Sequence, residues 1–408
     1  MRIYNLRHEE NNDTVKLSVT VESKEIGTKE AWFATPKNYS EYLCKTHMDA
    51  FVVGLLYPAM QYGEDIIIEG CISKKLLFNI NNYVIPLLMS YSDTAKKIKV
   101  SAENSTSEQF IGNAVGTGFS GGVDSFCTIY DHYEEEVDTV RKINSFLFLN
   151  VGSHGQDQDE SQSKFMKRYK YLSAFPREIG VEFIPLDSNL HQFHPWGHQE
   201  THTLTSVSGV LAMQKHFSKY YYSSSGLDYK DIINFASQYK GVDVGAFCDP
   251  ILLPLLSTET TEFIFDGAAH TRTDKVLNIA SYEPTFRFLN VCVSGDDTHE
   301  NCSKCSKCLR TLLALDLSGN LENYSNLFDI DKYKKLKPDY IYQQVAAKKN
   351  NAFAKANIDL AEKNQLKLPS YFKSSSYVLL NHRSKILVKK AAKALAPNTV
   401  EKIKQLLR

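Results

Sequence analysis

Two groups of residues in this 408-residue chain have the types and spacing of a chemical site. The first is Ser120-Gly121-Gly122-Val123-Asp124-Ser125, which follows a small, apolar, extended stretch ending at Phe119 and precedes helical spacing from Val123 to Tyr133. A strand, a glycine turn and a helix start together make an anion site. Glycine accepts backbone angles closed to other residues, and the free N–H groups of the helix start point outward together. The helix dipole adds roughly half a positive charge there, and the Ser120 and Ser125 hydroxyls can donate as well. A Gly-Lys-Ser/Thr loop would set a lysine on the phosphates, but no lysine follows here. Asp124 facing phosphates is tolerable where it holds a metal ion or an ordered water.

The second group is Cys292, Cys302, Cys305 and Cys308. A C-x9-C-x2-C-x2-C spacing suits a tetrahedral Zn2+ with all four positions filled by the protein, which makes the expected site structural and closed. An iron–sulfur cluster is the competitor, because C-x2-C-x2-C also occurs in ferredoxin-like runs. Lys304 and Lys307 would temper the negative charge of either centre.

Other candidates are single residues. His198 and His202 have the i, i+4 spacing of a helical metal pair, but Glu200 lies one place late for a zinc peptidase. His202 is therefore kept as a substrate contact at a helix start. Arg272 and Lys275, on the polar patch after Asp266, are candidates to offset the phosphate charge that the loop cannot offset without its own lysine. Asn150 and Val151, at the end of the second core strand, could give backbone contacts to an adenine.

The elements that must position these groups follow from periodicity. From residue 112 onward strands (113–119, 145–152, 180–186, 219–225 and a late one near 287–292) alternate with helices (123–135, 161–178, 202–217). This alternation predicts an α/β fold whose parallel sheet is covered on both faces, with ligands at the carboxyl ends of the strands. Before it, alternating strands within 14–35, helices over 41–60 and 73–89, and strands at 65–69 and 97–102 read as a smaller, separate α+β domain. The expected domains are thus 1–108, a nucleotide-binding core over 109–330, and a basic helical region over 331–408.

Composition excludes several classes. A hydrophobic share of 43% and a charged share of 23% belong to a soluble globular protein, and no apolar run approaches the length of a membrane span. The first residues lack the apolar centre of a signal peptide, so the expected location is cytoplasmic, where clustered thiols bind metal rather than form disulfides. The formal net charge is zero, yet residues 331–408 hold 18 Lys and Arg against 5 Asp and Glu. The end of this basic region, from Tyr377 to Arg408, reads as an amphipathic helix that could lie on an anionic membrane, on a partner or on the acidic body.

Ser120 to Ser125 match letter for letter the Ser-Gly-Gly-x-Asp-Ser signature of the PP-loop ATP pyrophosphatases. Together with the cysteine spacing, they resemble the 7-cyano-7-deazaguanine synthase branch of that family over residues 112–318. The resemblance implies a Rossmann-like (HUP-type) core carrying a four-cysteine zinc knuckle, with ATP, Mg2+ and Zn2+ as cofactors. It implies an adenylating ligase that activates a carboxylate or amide oxygen at the α-phosphate for capture by ammonia or an amine. Ser120, Gly121, Gly122, Asp124 and Ser125 carry over as the pyrophosphate site, with Asp266 and Arg310 as further substrate candidates beside His202. The chain departs from the branch at Ser223-Ser-Ser-Gly-Leu-Asp228-Tyr-Lys, which lacks the expected Asp-x-Ser-Gly-Tyr-Pro-Asp segment, and in its extra regions at both ends. The expected partners are ATP, a small-molecule or protein acceptor, an anionic surface for the basic tail, and a second copy of the chain in a homodimer. Two rival functions remain: a tRNA sulfur-transfer enzyme, which would need thiols such as Cys127 and Cys248, and a non-catalytic nucleotide-binding scaffold.

Overall fold

The computed structural model describes residues 1–155, 157–236, 247–292 and 300–380. The amphipathic segment expected beyond residue 380 lies outside them. The chain divides into two compact units, one of residues 1–291 and another that begins at Cys292 and resumes at Asn301.

The first unit is built on one ten-stranded mixed sheet in the order β10-β9-β6-β7-β8-β3-β2-β1-β4-β5. Its strands are β1 (Arg2–Glu10), β2 (Thr14–Ser23), β3 (Gly27–Pro36), β4 (Ile66–Ser73), β5 (Val100–Thr106), β6 (Ala114–Gly118), β7 (Ser145–Asn150), β8 (Glu182–Ser188), β9 (Phe217–Ser223) and β10 (Glu262–Asp266). The five strands from β10 to β8 run parallel, and β6 lies at their centre between β7 and β9. Its sequence, Ala-Val-Gly-Thr-Gly, suits a strand covered on both faces: four of its five residues are buried.

The sheet does not stop where a separate N-terminal domain was expected. β3 pairs antiparallel with β8 through Phe33–Ser188 and Ala34–Asp187, so the first hundred residues extend the core sheet. The expected late strand near 287–292 is absent, and β10 takes its place as the fifth parallel strand. Residues 285–288 form a short helix instead, followed by chain that belongs to no strand.

Helices cover both sides. In chain order they are α1 (Asp49–Tyr62), α2 (Lys74–Asn79), α3 (Ile85–Tyr91), α4 (Val123–Ile129), α5 (Gln158–Leu172), α6 (Ala174–Glu178), α7 (His198–Ala212), α8 (Tyr229–Ala236), α9 (Asp249–Leu255), α10 (Arg272–Ile279) and α11 (Thr285–Phe288). α1 is buried along nearly its whole length, packs on α7, and runs through Pro58 without ending there. Phe119, at the end of β6, packs within 5.2–5.8 Å of Phe126, Phe146, Phe175 and Phe183, taken centroid to centroid. Such aromatic pairs contribute roughly 0.5–1.5 kcal/mol each beyond their buried area, which fixes the residue from which the glycine turn departs.

The second unit is helical: α12 (Ser306–Leu317), α13 (Ile330–Ala347) and α14 (Ala352–Lys363). Asp316 joins α12 to α13 by accepting from Tyr333 Oη at 2.7 Å and Lys337 Nζ at 2.7 Å. Among the described residues no helix is long and apolar enough to cross a membrane.

Candidate functional site

β6 ends at the centre of the parallel strands, the place where open α/β sheets leave a crevice at their carboxyl ends. The turn Ser120-Gly121-Gly122 fills that place and leads into α4. Gly121 has φ +75°, and a Cβ there would lie 2.7 Å from Leu172 Cδ2, so both backbone angle and packing demand glycine. The turn is held from three sides. Ser125 Oγ donates to the Gly122 carbonyl at 3.0 Å, and the Asn290 N–H donates to the Gly121 carbonyl at 2.7 Å. Arg168, on α5, donates to the Ser120 carbonyl at 3.1 Å and to Asn290 Oδ1 at 2.8 Å.

Arg272 and Lys275 come to this turn from 148 and 151 residues along the chain. A capping box starts α10: Thr271 Oγ1 accepts from the Asp274 N–H, and the Asp274 carboxylate accepts from the Thr271 N–H at 3.1 Å. Arg272 and Lys275, three apart, then share one face of the helix. Both are buried, at 7% and 1% exposure, and both donate to the carboxylate of Asp124 in the first turn of α4. Lys275 Nζ also donates to Ser224 Oγ at 2.6 Å and to the Ser224 carbonyl at 3.0 Å. Burial pushes the Asp124 carboxyl up, but the two cations outweigh it and hold the group below its ordinary value.

Two buried cations in the first turn of a helix stand at the wrong end of its dipole. Asp124 offsets only one of the two charges. Arg272 Nε is buried and has no partner. The turn therefore collects two buried cations, two helix starts and a spare donor in one place, an arrangement suited to an anion.

The other candidates lie elsewhere. Asp266 closes β10, but both its oxygens are occupied, by Thr128 Oγ1 at 2.6 Å and His132 Nε2 at 2.8 Å. It ties β10 to the α4 segment and offers no free oxygen to a substrate. Asn150 is fully buried in a network of its own: Nδ2 donates to Asp187 at 2.7 Å, and Oδ1 accepts from Ser161 and meets His154 Nδ1. The Asn150 carbonyl accepts from Ser188 Oγ at 2.9 Å, and the Val151 carbonyl accepts from His198, so these two carbonyls already have partners. His202 opens towards β9, where its Nδ1 lies 2.9 Å from Tyr222 Oη, and burial pushes it down to about 4. Arg310 belongs to the second unit, with its guanidinium 3.9 Å from the ring centre of Phe353.

In that second unit the four cysteine sulfurs all lie within 4.8 Å of one another. Three separations are 3.5, 3.9 and 4.0 Å. A tetrahedral ion at about 2.3 Å from each sulfur requires edges of about 3.8 Å, so the cage has the size of a four-thiolate metal site. The Cys305 and Cys308 N–H groups donate to Cys302 and Cys305 Sγ at 3.3 and 3.5 Å. Burial pushes the Cys302 thiol up, but the backbone N–H groups of Lys304 and Cys305 outweigh it and bring it down to about 6. Among the described residues this is the one such group, and the histidines at 198 and 202 do not form another. Cys127 and Cys248 are both buried, and burial pushes both thiols up, Cys127 to about 12.

Sequence reasoning missed Arg168, Asn290 and Ser224. Each acts through a carbonyl or a neighbour brought close only by the fold; Ser224 lies in the segment 223–230 singled out above, but for its departure from the family and not for a contact at the turn. A cavity of about 660 Å³ lined by Tyr169, Lys170, Arg177 and their neighbours includes no residue of the glycine turn. Comparison of the chain with family models, with curated proteins and with solved structures finds no match.

Proposed function

We propose that this protein is an ATP-dependent, AMP- and pyrophosphate-forming adenylating enzyme, a C–N bond-forming ligase of the PP-loop ATP pyrophosphatase type, similar to the 7-cyano-7-deazaguanine synthases. One observation carries the reading: the Ser120–Ser125 turn receives two buried cations, Arg272 and Lys275, that its own sequence lacks. The parallel order β10-β9-β6-β7-β8, with the turn after its central strand, supports a Rossmann-like (HUP-type) core.

The residues fit the groups this chemistry needs. The Gly121 and Gly122 N–H groups and the Ser120 and Ser125 hydroxyls would hold phosphate oxygens. Arg272, with its spare Nε, and Lys275 would turn from Asp124 to the leaving pyrophosphate, freeing the carboxylate to hold Mg2+. That ion supplies neutralisation of phosphate charge. In the reaction an acceptor oxygen forms a bond to the α-phosphorus, and the bridging P–O bond breaks with its electron pair leaving on pyrophosphate. Ammonia or an amine then attacks the activated carbon and AMP departs. The protein's share is fixed positive charge aimed at the leaving group, where losing one donor typically costs roughly 2.7–4 kcal/mol. Cys292, Cys302, Cys305 and Cys308 would hold Zn2+ as a closed structural site.

Sulfur transfer gains no support, since Cys127 and Cys248, the thiols considered for it, are buried and kept protonated. The test is product analysis with α- and γ-labelled ATP and Mg2+, in the presence of cell extract or candidate acids. AMP and pyrophosphate are expected. ADP and phosphate would overturn the assignment of the turn, and binding without turnover in every mixture would favour the scaffold.

A further inference from the structure

His191 is 1% exposed, and neither of its ring nitrogens has a hydrogen-bond partner. It sits on the short turn Leu190–Phe193 just after β8. His198, at the start of α7, has a buried and unpartnered Nδ1 of its own. The two flank Gly152, just beyond the end of β7, with φ +111°. A Cβ on Gly152 would lie 3.2 Å from His191 Cβ and 3.8 Å from His198 Nδ1, so both side chains border the glycine. Buried polar atoms are almost always paired, and three orphans on two rings that both border Gly152 leave a demand for a hydrogen-bonding partner.

We propose that His191 and His198 bind the carboxylate group of the acceptor at the carboxyl ends of β7 and β8. The role of that carboxylate rests on the adenylating reading above, whereas its recognition rests on the rings alone. Neutral His191 offers one N–H donor, whereas the N–H of neutral His198 goes to the Val151 backbone, so His198 donates to an anion from Nδ1 on taking up a proton. Burial holds both rings below their ordinary values. An anion beside them reverses that balance, because its charge favours the imidazolium.

The surrounding charges agree with an anionic guest. Asp187, on β8, has its oxygens taken by Asn150, Gln162 and the Ser188 N–H. Glu200, on α7, turns back towards Gly197, where its Oε2 lies 3.0 Å from the position of a Cβ. From α5, Lys164 and Arg168 act on His154, which is held down to about 4 by burial first and by these cations after it. Among the described residues no carboxylate satisfies the His191 ring. A transition-metal site held by the protein needs several ligand side chains converging on one point, and among the described residues the four cysteines are the one group of three or more that does.

Calorimetric titration of the full chain at pH 7 with sodium acetate, inorganic phosphate and ZnCl2, in two buffers of different ionisation enthalpy, tests this directly. Acetate should bind with uptake of protons, and the ring ¹⁵N resonances of His191 and His198 should move towards the doubly protonated form. His191→Gln should weaken acetate at least tenfold, and His198→Gln should do likewise. The wild-type titration stands even if a variant fails to fold. Equal or tighter binding of phosphate, tight binding of Zn2+ at these rings, or no proton uptake with acetate would each overturn the proposal. The adenylating reading is judged separately by the products formed from ATP, so the two fail independently.

Discussion

Asp124 stands between two buried cations, and that position decides what its substitution does. From the sequence, a carboxylate at a solvent-facing helix start should be removable without cost to the fold. In the structure its side chain is a quarter exposed, and its loss leaves Arg272 and Lys275 as unpaired neighbours in a buried place. Breaking a buried pair typically costs roughly 3–5 kcal/mol, and the partial exposure of Asp124 puts Asp124→Ala towards the lower end. Urea denaturation should therefore find the alanine variant less stable as well as inactive. Asp124→Asn, which keeps the shape and one acceptor, should be inactive with a smaller loss of stability. The pH dependence has a definite sign. The folded value of Asp124 is depressed, so its contribution is complete above the unfolded value near ~3.9 and disappears as pH falls below it. The stability difference between wild type and Asp124→Asn should shrink on acidification through that window. A difference that grows instead would show that the ion pairs do not stabilise the fold.

At the scale of the element, the cysteine cage begins the second unit. Cys305 serves two purposes there: its sulfur is one of the four, and by accepting the Cys308 N–H it caps the start of α12. The adjacent Ser303 Oγ accepts the N–H of Asp329, which in turn caps α13. On the proposed zinc site, metal binding and the placing of these two helix starts would be one event, and structural zinc commonly contributes about 10–16 kcal/mol at neutral pH. Cys305→Ser, or strong chelation of the wild type, should release one zinc per chain by elemental analysis. It should also raise hydrogen exchange in α12–α14. Iron in the purified protein, or unchanged exchange after metal removal, would overturn the assignment. The basic region beyond residue 330 is in part accounted for within this unit: Lys337 pairs with Asp316, and Lys348 with Asp359 and Glu362.

For the molecule as a whole, the continuous sheet sets the limit of dissection. Residues 1–108 supply β3, which pairs with β8, and α1, whose apolar side chains share one buried cluster with Leu190, Leu204, Val207 and Leu211. Deleting them exposes the long edge of β8 and the apolar face of α7. At about 25 cal/mol per Å² of apolar surface, exposing roughly 400 Å² already costs about 10 kcal/mol, against an ordinary domain stability of about 5–15 kcal/mol. A chain of residues 109–408 should therefore be insoluble or unfolded by circular dichroism, even with zinc supplied. A soluble product with cooperative thermal unfolding would instead establish the first hundred residues as a separate domain.

The sequence by itself determined the local chemistry. Ser120 to Ser125 had to be a turn between a strand and a helix, because two glycines interrupt an apolar run just before helical spacing begins. The cysteines at 292, 302, 305 and 308 had to meet, because a knuckle of this kind is mostly short-range geometry. The alternation after residue 112 likewise fixed an α/β class, since strand and helix periods are local properties. The sequence also named Arg272 and Lys275 as candidate cations for the turn, but only the tertiary structure decided which distant groups meet it and how. Arg272 and Lys275 reach Asp124 through the packing of α10 on α4, and Arg168 and Asn290 hold the turn through backbone carbonyls, which carry no sequence signature. The same holds for what was displaced. Asn150 and Asp266 keep the residue types of a ligand site, but partners from other strands and helices occupy their atoms. The joining of β3 to β8 is likewise a matter of edge pairing between segments about 150 residues apart, and pairing at that range leaves no trace in either segment's own periodicity.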